Sequence, residues 1–161
     1  RSIDEYRLSV LAGYKRSKAE VLARMEQRKQ SMPQHKKQDD SYISLTELAR
    51  NHSKNTPGYV IQSWLRSENT LAFLNLWEQE NNPDYREASY IELLEKKKTA
   101  SFTLTPKLWI EKTKATGIAS KQGKGGGTFA HPMIGCEFAS WISPEFKMLL
   151  LKLSLGREQV R

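Results

Sequence analysis

Lys121 and Lys124 flank Gln122 and Gly123, just ahead of the run Gly125, Gly126 and Gly127. Glycine reaches the positive φ that tight turns need, and ammonium groups carried on such a turn attract phosphate oxygens. Ile118 and Ala119 before the turn, and Thr128 and Phe129 after it, are spaced to pair as short strands. The expected unit is a β-hairpin with a cationic tip, a wing. A second set suited to nucleic acid is Tyr59, Gln62, Ser63 and Arg66, the polar side of a helix beginning at Pro57. Gln and Arg make bidentate hydrogen bonds to adenine and guanine edges, and Lys54 and Asn55 in the preceding turn suit phosphate.

Other chemistries fit less well. His131 and Cys136 resemble a base and a nucleophile in type, but five residues apart at one helix start they diverge. His131 reads as the cap of that helix, and Cys136, between Ile134 and Phe138, as a small buried filler. Asp84, Glu87 and Glu92 cluster in sequence without a spacing that favours an ion over solvent. The glycine run lacks the Gly-Lys-Ser/Thr ending of a nucleotide-binding loop. The chain therefore reads as no enzyme, with no cofactor, no metal and no small-molecule substrate.

The elements that must hold these residues come from a chain of 161 residues, 38% hydrophobic with four Trp and five Phe, enough for one domain and an extension. No apolar run approaches the roughly 18 residues a membrane span requires, no secretory leader is read, and the single cysteine cannot form an internal disulfide. A cytoplasmic, nucleoid-associated protein is expected, and because the chain opens on Arg1 its natural start is expected upstream. Residues 1–38 hold ten Lys or Arg against four acids, so six of the eight net positive charges lie there. Residues 67–100 are net acidic, whereas residues 118–131 carry two lysines and no acid.

Residues 1–38 form the first unit, a basic helical extension and linker. Ser2 with Glu5 and Ser17 with Glu20 match the capping box, with Gly13 a stop between two helices; as one continuous helix the segment would instead gather Ile3, Val10, Leu11, Tyr14, Val21, Leu22 and Met25 on one face, and either form suits packing on the domain or a second copy, or a basic arm along phosphates. Residues 31–41 have linker composition. Residues 39–161 form the second unit. Within it the sequence predicts a strand at 42–44, a helix over 45–51, a turn at 53–56, and a helix over 57–66 capped by Thr56, with Val60, Ile61, Trp64 and Leu65 inward. Helix, short turn, helix is a helix-turn-helix candidate. Further helices are predicted over 69–79, with Leu71, Ala72, Leu74, Leu76 and Trp77 as core, and over 87–98. Another starts at Thr105-Pro106 and closes at Gly117, and two more start at His131-Pro132 and Ser143-Pro144. Phe73, Trp77, Phe102 and Trp109 read as core rather than as base-stacking platforms. Leucines near the end exceed what one small core needs, leaving a face for a partner or for a continuation of the chain.

Taken in order, these residues resemble a known family. Tyr42-Ile43-Ser44-Leu45-Thr46-Glu47-Leu48-Ala49-Arg50, Trp64-Leu65-Arg66, Phe73-Leu74 and Trp77-Glu78 are similar to the KilA-N domain of bacteria, phages and large DNA viruses. So are Trp109-Ile110-Glu111-Lys112-Thr113, the stretch from Gly125 to His131, and Phe138-Ala139-Ser140-Trp141-Ile142-Ser143-Pro144-Glu145-Phe146. The resemblance covers residues 42 to 150. It implies a helix-rich α+β fold akin to fungal APSES domains, with a helix-turn-helix, a small sheet and a wing. It also implies binding of double-stranded DNA, in a phage or bacterial transcription regulator or antirepressor. A helical extension stands where bacterial members begin with strands, so a smaller sheet is expected, and Met133 and Gly135 depart from the family pattern. The rival reading is a protein interaction module that uses the amphipathic extension and the leucine-rich end, with a second copy or another protein as partner.

Overall fold

The computed structural model describes residues 41–159, together with Ala19 and Ala23. The chain divides between Lys37 and Gln38, and the continuous described stretch belongs to the second unit. The capping boxes, the Gly13 stop and the linker up to residue 40 lie outside the described residues.

Strand β1, Ile43–Ser44, passes directly into helix α1, Leu45–His52. Ser44 ends the strand and caps the helix, its hydroxyl accepting the Glu47 backbone N–H at 3.0 Å. Leu45 and Ala49, four residues apart, are the buried positions of α1. Helix α2, Pro57–Leu65, buries Val60, Ile61, Trp64 and Leu65. Thr56 holds the N-cap position, yet its side chain makes no capping hydrogen bond. Pro57 at the first helical position has no N–H to satisfy and presets φ, which lightens the demand on a cap.

Helix α3, Glu68–Asn81, turns Leu71, Leu74, Trp77 and Glu78 inward. Leu76, expected in the core, is 55% exposed, because two residues beyond Leu74 the helix has rotated it to the far side. Helix α4, Glu87–Lys96, buries Leu93. Helix α5, Pro106–Thr113, is capped by the Thr105 hydroxyl, which accepts the Leu108 N–H at 3.1 Å. It ends at Lys114, in the left-handed region at φ 56°, and not at Gly117. The cause is remote in sequence: the Asn82 side-chain amide donates to the Lys114 carbonyl at 2.8 Å and holds the chain in that conformation.

Strands β2, Ile118–Lys121, and β3, Gly127–Ala130, pair antiparallel in the register Ile118 opposite Ala130 and Ala119 opposite Phe129. β1 pairs with the other edge of β3, giving the order β1-β3-β2. This three-stranded antiparallel sheet and seven helices, counted among the described residues, make a helix-rich α+β fold. Among the described residues the sheet is small.

Helix α6, Pro132–Ile142, starts behind His131, whose Nδ1 accepts the Met133 N–H at 3.1 Å. Ile134, Gly135, Phe138 and Ala139 face inward. Cys136 is half-buried rather than buried, since it falls off that inward stripe. Gly135 has a packing reason: a Cβ there would lie 1.9 Å from Ile43 Cδ1, so the strand's isoleucine fills the space a side chain would need. Helix α7, Pro144–Gln159, packs on α6. Trp64, Trp109 and Phe138 anchor one continuous core, with the Trp64 and Phe138 rings edge to face at 5.0 Å. Each such fully buried apolar side chain stabilises by about 1.5–3 kcal/mol. Trp77 and Trp109 are buried and Phe73 and Phe102 pack against the core, as the helical spacing implies.

Candidate nucleic-acid interface

Two polar sets stand on the described surface, one on α2 and the turn before it, the other on the β2–β3 hairpin. On α2 the inward apolar side leaves Tyr59 exposed, Gln62 and Ser63 half-buried, and Arg66 exposed at the C-cap. Gln62, Ser63 and Arg66 lie three, four and seven residues beyond Tyr59, so they share a face with it. The Arg66 guanidinium lies 5.9 Å from the centre of the Tyr59 ring, a cation–π contact that holds both side chains on that face. Lys97, at the end of α4, donates its ammonium to the Arg66 carbonyl. Burial lowers the affinity of the Lys97 amine for its proton, with Glu68 opposing. Sequence reasoning missed this tie, because Lys97 sits within a run of three lysines that reads simply as charge.

The turn between α1 and α2 exposes Lys54 and Asn55, and the Asn55 N–H is bound by the Ser53 hydroxyl at 3.2 Å. At the hairpin, Lys121 closes β2, and Gln122 and Lys124 are exposed on the tip. The Lys121 ammonium lies 5.2 Å from the centre of the Phe129 ring across the strand pair. Gly123 and Gly125 take positive φ, and the Gly126 N–H closes the turn on the Gly123 carbonyl at 2.9 Å.

Helix α1 lies against both α2 and β3, so it stands between the two sets. Thr46 makes the second of these contacts. Its hydroxyl accepts the Thr128 N–H at 3.0 Å, extending the hydrogen bonding of β3 past the point where β1 has ended. Gly127 has φ 137°, and a Cβ there would meet Thr46 Oγ1 at 2.6 Å. Only glycine lets the strand backbone come this close to the Thr46 side chain.

The root of the hairpin is fixed by Glu78. This carboxylate, 1% exposed, accepts the N–H groups of Thr116 and Gly117, the latter at 2.8 Å. Burial raises its proton affinity above the ordinary carboxyl value, while those N–H groups and Asn82 pull the other way. The Tyr42 hydroxyl donates to the Thr116 carbonyl at 2.8 Å, tying the start of β1 to the same root. Thr46 and Glu78 both stand in the blocks that carry the family resemblance, but neither was given a role there. The one available signal for Glu78 was an acid four residues after Leu74 on an otherwise apolar stripe.

His131 serves the fold as a helix cap through Nδ1, and its ring packs 5.1 Å from Trp77 and 6.0 Å from Tyr42. Among the described residues no group of three or more His, Cys, Asp or Glu side chains could hold a metal ion, and no helix is long and apolar enough to cross a membrane.

The sequence that folds in this way has relatives. The KilA-N domain model matches residues 27–155, and the chain belongs to that family. Protein kilA of Escherichia phage P1 is 46% identical over 50 residues, which cover 29% of this chain and 19% of the phage protein. The chain thus spans well under two thirds of that relative. No solved structure matches it.

Proposed function

We propose that this chain is the duplex-DNA-binding domain of a phage-type or bacterial regulator or antirepressor. In this reading α1 and α2 form a helix-turn-helix, α2 enters the major groove, and the β2–β3 hairpin is a wing gripping the adjacent backbone. Gln62 and Arg66 read base edges, Tyr59 and Ser63 support them, and Lys54, Asn55, Lys121, Gln122 and Lys124 hold phosphates. The observation that carries it is the position of α1, packed on α2 on one side and bonded through Thr46 to β3 on the other. Membership of the KilA-N family and the net charge of +8 support the same partner. A helix is about 10–12 Å across and the major groove about 12 Å wide, so the fit is direct. With DNA as ligand the protein acts in the cytoplasm, at the nucleoid, without cofactor or catalysis.

Duplex binding titrated at two salt concentrations tests the reading. The association constant is expected to fall steeply with salt, with a log–log slope of about −0.9 per phosphate neutralised. Binding that is absent, or indifferent to salt, rejects it. The second reading, a protein interaction module, has its own observation: the exposed leucines of α7.

A further inference from the structure

Helix α7 is apolar on more than the side it turns to α6. Phe146 is half-buried, and Leu150 is the least exposed of the helix's large exposed apolar residues. Away from them stand Pro144, Met148, Leu151 and Leu155, separated by four, three and four residues. At 3.6 residues per turn this spacing keeps all four on one narrow line, the a/d seam of a helix pair. Met148, Leu151 and Leu155 are 57%, 51% and 49% exposed, which is costly for a seam facing water. Beside it runs a shallow groove of about 440 Å³ lined by Pro144, Glu145, Met148, Leu149 and Lys152.

The charges beside the seam select the occupant. With Met148 at a and Leu151 at d, Glu145 and Lys152 both fall at e, on one flank, and Lys147 falls at g on the other. Two such helices packed in parallel set g against e of the partner and oppose Lys147 to Lys152 of the second copy, like against like, twice. Packed antiparallel, e meets e. Met148 then faces Leu151 of the second copy, and Glu145 falls beside Lys152 of the second copy on both halves of the two-fold. On the other flank Lys147 meets the neutral Ser154. Glu145, Lys147 and Lys152 are all exposed in the single chain, and neither described salt bridge uses them.

We propose that the α7 seam is a self-association surface, and that it docks antiparallel on the same seam of a second copy with reciprocal Glu145–Lys152 pairs. A contact between single helices of this length is at the small end of specific interfaces, so the dimer dissociates in the micromolar range. The same patch meets itself across the two-fold, so the assembly closes at two. None of this depends on DNA.

Sedimentation of the full chain across the micromolar range, without DNA, tests the proposal. The wild type is expected to pass from monomer to dimer mass. Leu151→Asp is expected to stay monomeric with unchanged circular dichroism, because that side chain is outside the core. Glu145→Lys and Lys152→Glu, each alone, are expected to weaken association about five- to tenfold. The combined Glu145→Lys/Lys152→Glu chain is expected to return to the wild-type dissociation constant, since the reciprocal pairs are restored with reversed polarity. A wild type that stays monomeric overturns the surface. A combined variant no tighter than the single ones, or one tighter only when mixed with wild type, overturns the antiparallel geometry. Loss of salt-sensitive DNA binding with the dimer intact would count against the DNA reading alone.

Discussion

Glu78 Oε1 accepts the backbone N–H of Gly117 at 2.8 Å, across 39 residues of chain, so a buried carboxylate on α3 holds the first residue of the hairpin's root. The same oxygen takes the Thr116 N–H. Two backbone donors that no strand could satisfy at that bend are met by one side chain.

Replacing Glu78 should therefore be costly in proportion to what the new side chain can accept. Glu78→Ala is expected to lose about 2–4 kcal/mol, from two buried donors left unpaired. Glu78→Gln keeps an amide oxygen at the same reach and is expected to lose about 1 kcal/mol or less near neutral pH. Urea unfolding of the three proteins checks the order, and equal losses for both variants would show that the carbonyl oxygen alone does not serve.

The pH dependence of that difference has a definite sign. Burial raises the Glu78 pKa above its ordinary value of 4.5, so between the two values the native protein holds a proton that the unfolded chain has lost. The stability owed to this group is then full below 4.5, falls as pH rises through the window, and is lowest above the raised value. Thermal melts of wild type and Glu78→Gln from pH 4 to pH 8 are expected to show the wild type losing ground with rising pH. A wild type that gains on the variant over that window would mean the N–H groups outweigh burial.

Thr46→Val removes the hydroxyl that accepts the Thr128 N–H while keeping the shape of the side chain. A loss of about 1–2 kcal/mol is expected, with Thr46→Ser close to wild type. Gly127→Ala is expected to cost more than Thr46→Val, since it adds a Cβ at 2.6 Å from Thr46 Oγ1 and forces alanine to φ 137°. Calorimetry ranks the three, and a Gly127→Ala protein as stable as wild type would mean the hairpin swings away from α1 freely.

In duplex binding, Lys121→Ala and Lys124→Ala are each expected to weaken all sequences alike and to lower the salt slope by about 0.9. Gln62→Ala and Arg66→Ala are expected instead to blunt discrimination at particular base pairs by about 1–3 kcal/mol. Selection from a random duplex pool, followed by titration of single-base variants, separates the two behaviours. Uniform losses for all four would place the reading helix elsewhere.

Much of the architecture could be read from single residues that act locally. Pro57, Pro106, Pro132 and Pro144 each begin a helix, and the glycine run bends β2 back on β3, because these residues restrict or release φ wherever they stand. The inward side of α2 followed from spacing alone. What escaped depends on partners far away in the chain. The end of α5 is set by Asn82, 32 residues from Lys114, and local signals pointed to Gly117 instead. Glu78 has no local partner to reveal its role, which Thr116 and Gly117 supply from 38 and 39 residues further on. Thr56 erred the other way, having the right type at the right place but no hydrogen bond to make. For the candidate interface, the residue types on α2 and on the hairpin were readable one set at a time. Their relation was not, since it runs through Thr46 on a third element.

Ser44 is at once the last residue of β1 and the cap of α1, leaving no spacer between sheet and helix pair. Such a junction has no hinge. In the DNA-binding reading, a phosphate that seats the hairpin would also set the angle of α1, because β3 is bonded both to β1 and to Thr46.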